Sequence, residues 1–209
     1  MKTAKVLWIL GSILINVVIF FYIKIMSQVP VGTHAVRYEY INENWSQFEI
    51  MWKAEMIVMS FLTISAIFFA IKFKSVAWSI VAFGQLVLIT LYPVMIGGYH
   101  GTSVEVYTMA YQMSVLIFVF GKMLFLAGII LVYLTDSILQ KWLRIVASLL
   151  ALIGLISFSA SYFGFIDWKQ ALKFAIALNL LYLINAYHGF KMETNELGGL
   201  AEGNSRLQY

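Results

Sequence analysis

A lysine interrupts one of the most apolar stretches of this chain. Lys122 lies within the run from Phe118 to Phe125, near the middle of a segment long enough to span a bilayer. A charged amine at that depth costs about 2.5 to 3.5 kcal/mol on insertion scales, and its stem does not easily reach either interface. Lys122 is therefore expected to face the interior of a helix bundle, where it binds an anion, pairs with a carboxylate, changes protonation or caps backbone carbonyls.

The residues that could surround Lys122 are tyrosines and amides. Tyr111 and Tyr133 each lie eleven residues from Lys122, which puts them within about 20° of its direction on a helix. Three amides lie near the middle of other apolar stretches: Asn16, Gln85 and Asn179. Each alone can be structural, because amides join membrane helices through hydrogen bonds worth about 0.6 to 2 kcal/mol. If these groups converge, they form a ligand-binding or ion-binding site made of Lys122, Asn16, Gln85, Tyr111 and Asn179.

Other kinds of chemistry find little support in the sequence. The chain has no cysteine, which excludes disulfides, thiolate zinc sites and iron–sulfur clusters. No histidine falls near the middle of an apolar stretch, so paired axial ligation of a haem is unsupported. His100 and Glu105 together are a weak metal signal. Familiar hydrolase and metalloprotease motifs are absent. The sequence therefore predicts no metal site, no cofactor and no assigned catalytic residue.

The segments that carry these residues read as membrane-spanning helices. Hydrophobic residues make up 62% of the 209 residues and charged residues only 11%, far from the balance of soluble domains. A spanning helix needs about 20 mostly apolar residues. The fold is therefore predicted as an all-α, polytopic transmembrane bundle with about six spans, a single domain over 1–190 followed by a mobile cytoplasmic tail over 191–209. The predicted spans are 6–25, 54–71, 76–99, 106–134, 143–166 and 170–190.

Two connections have features of their own. Pro93 and the glycines that follow it predict a kink or an unwound end in the third span. The outer segment 26–53 is predicted to contain a short interfacial helix from about Trp45 to Lys53, capped by Asn44, that leads into the second span. Its apolar side should face lipid or the bundle, and it consists of Trp45, Phe48, Met51 and Trp52.

The basic residues predict an orientation in the cell membrane. With the N-terminus inside, eight lysines and arginines flank the spans on that side and four on the other. Because positive residues favour the cytoplasmic side of short loops, both termini are predicted to be cytoplasmic. The net charge of +4 contains no dense basic run, so a nucleic-acid partner is not expected. The expected surroundings are the lipid bilayer, with a small-molecule, ion or lipid ligand and a homo-oligomer or larger membrane complex as further hypotheses.

Three functions remain open at this level. The first is small-molecule or ion binding and transport, with a site around Lys122, because keeping an amine at membrane depth is costly. The second is a non-catalytic structural or assembly subunit of a larger membrane complex, for which the small size and absent motifs suffice. The third is a membrane enzyme that acts on a lipid. The sequence favours a protein that is not an enzyme, and it does not identify a substrate.

Overall fold

The computed structural model describes residues 1–166, 170 and 175–205, and the elements formed by these residues are all helices. This confirms the prediction of an all-α membrane bundle. The helices are α1 Lys2–Met26, α2 His34–Glu43, α3 Trp45–Phe73, α4 Val76–Ile89, α5 Leu91–Gly98, α6 Val104–Thr135, α7 Lys141–Tyr162 and α8 Ala175–Ser205. Within the described residues, five segments are long and apolar enough to cross a membrane: α1, α3, α4 together with α5, α6 and α7.

The long helices form a closed ring in chain order. Each of α1, α3, α4, α6, α7 and α8 packs against the next, and α8 returns to α1. Short connections between α3 and α4 and between α6 and α7 favour this arrangement because they keep these helices antiparallel and adjacent. We call the end of the ring that holds the start of α1 the inner end, and the opposite end, which holds α2, the outer end. Among the described helices, α6 and α8 are not neighbours in the ring, and the contacts between them are made by side chains that cross its interior.

Glycines allow a close helix contact between α4 and α6. A Cβ atom on Gly84 would lie 2.5 Å from the backbone nitrogen of Phe125, and one on Gly128 would lie 2.7 Å from that of Val81. Both distances are shorter than any side chain tolerates, so only glycine allows this approach. The contact fixes the depth of α6 relative to α4, and therefore the depth of Lys122.

The third span is broken, as predicted. α4 ends at Ile89, and α5 begins at Leu91. Pro93 lacks the N–H that would bond to the carbonyl of Ile89, and its ring clashes with that carbonyl. The helix therefore restarts after Thr90, and α5 packs against α6 and α3.

The outer segment differs from its prediction in one respect. A short helix does precede the second span, but it is α2, and the predicted interfacial helix Trp45–Lys53 is the first part of the continuous helix α3. Phe48, Met51 and Trp52 are buried, so this side packs on the bundle. Asn44 occupies the predicted cap position, although its side chain donates to the carbonyl of Tyr40 instead of capping α3.

The sixth predicted span, 170–190, lies partly outside the described residues. α8 carries positions 175–190 of it, packed between α7 and α1. α8 then continues through Ser205, so the predicted tail is helical as far as that residue, and 206–209 fall outside the described part. The mobility of the tail stays a prediction.

Candidate functional site

Lys122 points into the ring from α6. Its side chain is only 7% exposed, and its Nζ donates a hydrogen bond of 3.0 Å to the hydroxyl oxygen of Tyr182 on α8. The ammonium also lies 5.4 to 5.8 Å from the ring centres of Phe118, Phe125 and Tyr182. Aromatic faces at these distances attract a cation electrostatically. The sequence-based cost of burying this amine is thus offset by one hydroxyl and three rings.

A carboxylate that the sequence analysis missed completes the arrangement. Glu55 on α3 lies beside the hydroxyl of Tyr92 on α5, and it attracts Lys122 electrostatically. Tyr92 in turn lies near Tyr182. These four residues from four helices form what we call the central cluster: Glu55, Tyr92, Lys122 and Tyr182.

The two charges of the central cluster are held apart. Between described residues, the direct ion pairs are Lys53 with Glu49 and His188 with Asp136. Lys122 and Glu55 therefore attract each other over more than an ion-pair distance, and each takes a tyrosine hydroxyl as its close partner. Such an arrangement lowers the cost of the buried amine and of the half-buried carboxyl without direct contact between them.

Helix periodicity contained a signal for Glu55. The predicted second span began at residue 54, which left Glu55 at the edge of the bilayer. Because α3 already begins at Trp45, Glu55 lies ten residues, or about 15 Å, along the helix. It also follows Trp52 and precedes Met59 and Leu62, all buried, at helical spacing. A carboxylate on a buried stripe was therefore readable once the helix start was placed correctly.

The three predicted amides are present in the bundle, but none donates to or accepts from Lys122. Gln85 is fully buried, and neither atom of its amide has a partner within the protein. The Oδ1 atom of Asn179 is likewise buried and unpartnered. Asn16 instead donates to the carbonyl of Ser12 on its own helix. The expected amide partner of Lys122 is thus replaced by Tyr182.

Gln85 nevertheless lies at the depth of Lys122. A Cβ atom on Gly84 would be 3.0 Å from the carbonyl oxygen of Gly121, and these glycines directly precede Gln85 and Lys122 in the chain. Buried polar atoms usually find hydrogen-bond partners. The unpartnered amide of Gln85 therefore marks unused hydrogen-bonding capacity at this level of the ring.

Tyr111 belongs to a different region. It lies half-buried toward the outer end, where its ring centre is 5.2 Å from His34 and 6.3 Å from Tyr107. Along α6 it is about 16 Å from Lys122. The structure thus separates this predicted site residue from the central cluster and places it among the outer aromatic rings.

A second polar group occupies the inner end of the ring. His188 Nε2 and Asp136 Oδ2 are 2.7 Å apart, the hydroxyl of Tyr133 donates to Asn185 Oδ1 at 2.6 Å, and Trp8 Nε1 donates to the Asn185 carbonyl at 2.9 Å. We call these residues the inner cluster: Trp8, Tyr133, Asp136, Asn185 and His188. Sequence reasoning gave His188 no role because its partner, at the end of α6, is 52 residues away.

The inner cluster also sets the charge of Asp136, which lies just beyond the end of α6. Burial alone raises the pKa of this carboxyl. The hydrogen bond and charge of His188, the N–H of Ile138 and the Arg144 guanidinium lower it, and the net pKa lies below the ordinary value of 3.8. Asp136 is therefore a stable anion at neutral pH.

The described residues contain no group of three or more histidines, aspartates and glutamates that could hold a metal ion. Comparison with family models, with curated proteins and with solved structures finds no match to this chain. Its activity must therefore be argued from the chemistry of its own side chains.

Proposed function

We propose that this membrane protein binds a small zwitterion, such as an amino acid, at the central cluster and carries it through the ring. The observation that carries the proposal is the pair of opposite charges held apart inside the ring, Lys122 on α6 and Glu55 on α3. A carboxylate of the solute would bind Lys122, and an ammonium group would bind Glu55. Each charge of the solute would then face an opposite charge of the protein, which matters because an uncompensated charge in the bilayer core is costly.

Charge balance favours a zwitterion over a simple ion. When Lys122 is protonated and Glu55 is ionised, the two charges of the central cluster sum to zero, so a solute that carries both signs leaves the interior neutral. A lone anion or cation would add a net charge to a region of low dielectric constant, where charges are costly. The unpartnered amide atoms of Gln85 and Asn179 would add hydrogen bonds to such a solute.

The test is ligand-dependent thermal stabilisation of the purified protein in detergent. Each amino acid is compared with the carboxylic acid and the amine that correspond to its two halves. A specific amino acid should raise the unfolding midpoint, because a ligand at a hundred times its Kd stabilises the native state by about 2.7 kcal/mol. Lys122→Met should abolish the shift. Lys53→Met, which alters an exposed lysine paired with Glu49, should keep it.

The competing function is a structural or assembly subunit. It is favoured by the fact that Lys122 and Glu55 already have partners inside the protein. If no compound stabilises the native chain, this second function is preferred. Stabilisation by the acids alone, retained with Glu55→Gln, would replace the zwitterion by an anion.

We also propose that both termini face the cytoplasm of a cell membrane, on the support of the basic residues at the inner end. Because the chain has no cysteine, single cysteines can be labelled cleanly. Glu39→Cys, on the exposed side of α2, should react with a membrane-impermeant maleimide in intact cells. Asn204→Cys should react only after permeabilisation. Labelling of both positions from the same side would contradict the orientation.

A further inference from the structure

A groove between α6 and α7 opens at the inner end, away from the central cluster. It has a volume of about 450 Å³. Its α6 wall contains Ile130 and Leu134, and its α7 wall contains Ile145, Leu149 and Leu152. The α7 residues recur at helical spacing and thus form one face. We propose that this groove is a binding site for one anionic phospholipid.

The inner end of the groove is basic. Lys141 and Arg144 line it at the start of α7, and Lys141 is exposed. No described carboxylate forms an ion pair with Lys141. The side chain of Gln140 leaves α7 uncapped, because its oxygen accepts from the indole of Trp142. A phosphate here would meet two basic side chains and the positive end of the α7 dipole.

Asp136 offsets only part of this positive charge. Arg144 donates one guanidinium hydrogen bond to the backbone carbonyl of Asp136 and attracts its carboxylate. The two carboxylate oxygens are occupied by His188 and by the N–H of Ile138. The Nε atom of Arg144 has no partner within the protein. Hydrogen-bonding capacity therefore remains on the guanidinium.

The order of residues along the groove matches an amphiphile. From Lys141 to Leu152 the wall rises about 16 Å along α7, and it changes from basic to fully apolar in the direction of the bilayer centre. A lipid phosphate near Lys141 would leave an acyl chain against Leu149 and Leu152. A free phosphate would use only the basic end and gain nothing from the apolar walls. The observations therefore favour a lipid over a soluble anion.

The experiment measures lipid retained by the full-length protein. The chain is reconstituted in vesicles of phosphatidylcholine containing a minor fraction of phosphatidylglycerol of the same acyl composition, then extracted in mild detergent, and bound lipid is quantified by mass spectrometry. Phosphatidylglycerol should be enriched over its share in the vesicle. Lys141→Gln should reduce that enrichment roughly fivefold, the factor expected for one basic residue at an anionic surface. The matched control is Lys72→Gln, an exposed lysine at the same end of the ring but outside the groove.

Two further measurements distinguish a lipid in the groove from a soluble anion at its basic end. Ser148→Phe adds bulk to the groove wall without changing its charge, and it should lower retention of the lipid. Excess inorganic phosphate should leave retention unchanged. Retention of the two lipids by the native protein in the same ratio as in the vesicle would overturn the proposal. So would an enrichment that Lys141→Gln and Ser148→Phe leave intact, or one that inorganic phosphate abolishes. Arg144→Gln is avoided because that side chain also holds the end of α6.

Discussion

The central and inner clusters both contain charged side chains inside the ring, but they compensate these charges in different ways. Both use side chains that reach from α6 to α8 across the interior of the ring: Lys122 to Tyr182 in the centre, and Asp136 to His188 at the inner end. At the inner end the acid contacts its imidazole partner at 2.7 Å. In the centre, the acid and the amine interact from a distance, and each contacts a tyrosine.

The two clusters differ in the polar groups that remain available to a bound molecule. Direct pairing and backbone contacts occupy the Asp136 carboxylate, and the rings of Trp78 and Tyr133 lie against His188. The inner cluster therefore suits a structural role. In the central cluster opposite charges remain separate at the depth of the unpartnered amide of Gln85.

Removing the central carboxylate should have the largest effect. Glu55→Leu leaves Lys122 without its counter-charge and Tyr92 without its polar neighbour, so we expect a loss of about 3 kcal/mol in the free energy of unfolding, the lower end of the range for a broken buried ion pair because the two groups are not in direct contact. The measurement is denaturant-induced unfolding in detergent micelles.

The control is the double variant Glu55→Leu, Lys122→Met, which removes both charges. It should recover most of the lost stability, because no uncompensated charge remains. Strictly additive effects of the two substitutions would show that the charges act independently, and would remove the basis for treating them as one site.

Substitution of a tyrosine in either cluster should have an intermediate effect on stability. Tyr182→Phe removes the acceptor of a charged donor, Lys122, and should cost about 1.5 to 3 kcal/mol. Tyr133→Phe removes a neutral hydrogen bond to Asn185 and should cost about 0.5 to 1.5 kcal/mol. Both variants keep the ring, which lies near Phe125 or His188 respectively. Thermal unfolding in one detergent compares them, and a larger loss for Tyr133→Phe would reverse the contrast between the clusters.

The smallest expected effect is on the acid dependence of stability. The pKa of Asp136 is lowered in the folded protein, so its interactions stabilise the fold above the ordinary value of 3.8 and are lost as the pH falls through the lower, folded value. We expect a contribution of about 0.5 kcal/mol, because the group is partly exposed. Unfolding midpoints are measured from neutral to acid pH. Asp136→Asn should reduce the fall of the unfolding midpoint at acid pH. An unchanged pH dependence would show that Asp136 does not contribute to it.

Local sequence patterns were sufficient to predict the long helices, the break in the third span and the burial of Lys122. Apolar runs of spanning length gave the long helices, and Pro93 gave the break after Thr90, because both depend on neighbouring residues along the chain. The cost of burying an amine placed Lys122 inside the bundle for the same reason: the penalty depends on depth, which the sequence of one span already defines.

The partners of these residues were decided by tertiary packing. Glu55 and Lys122 lie 67 positions apart, and nothing in either segment indicates that the two side chains face the same part of the ring interior. The same holds for Tyr182, which replaced the expected amides, and for His188. Helix periodicity gives the face of a residue on its own helix, whereas the close contact of α4 and α6 at Gly84 and Gly121 sets which faces meet and at what depth. The sequence by itself determined that a charge is buried, and only the packed ring determined what compensates it.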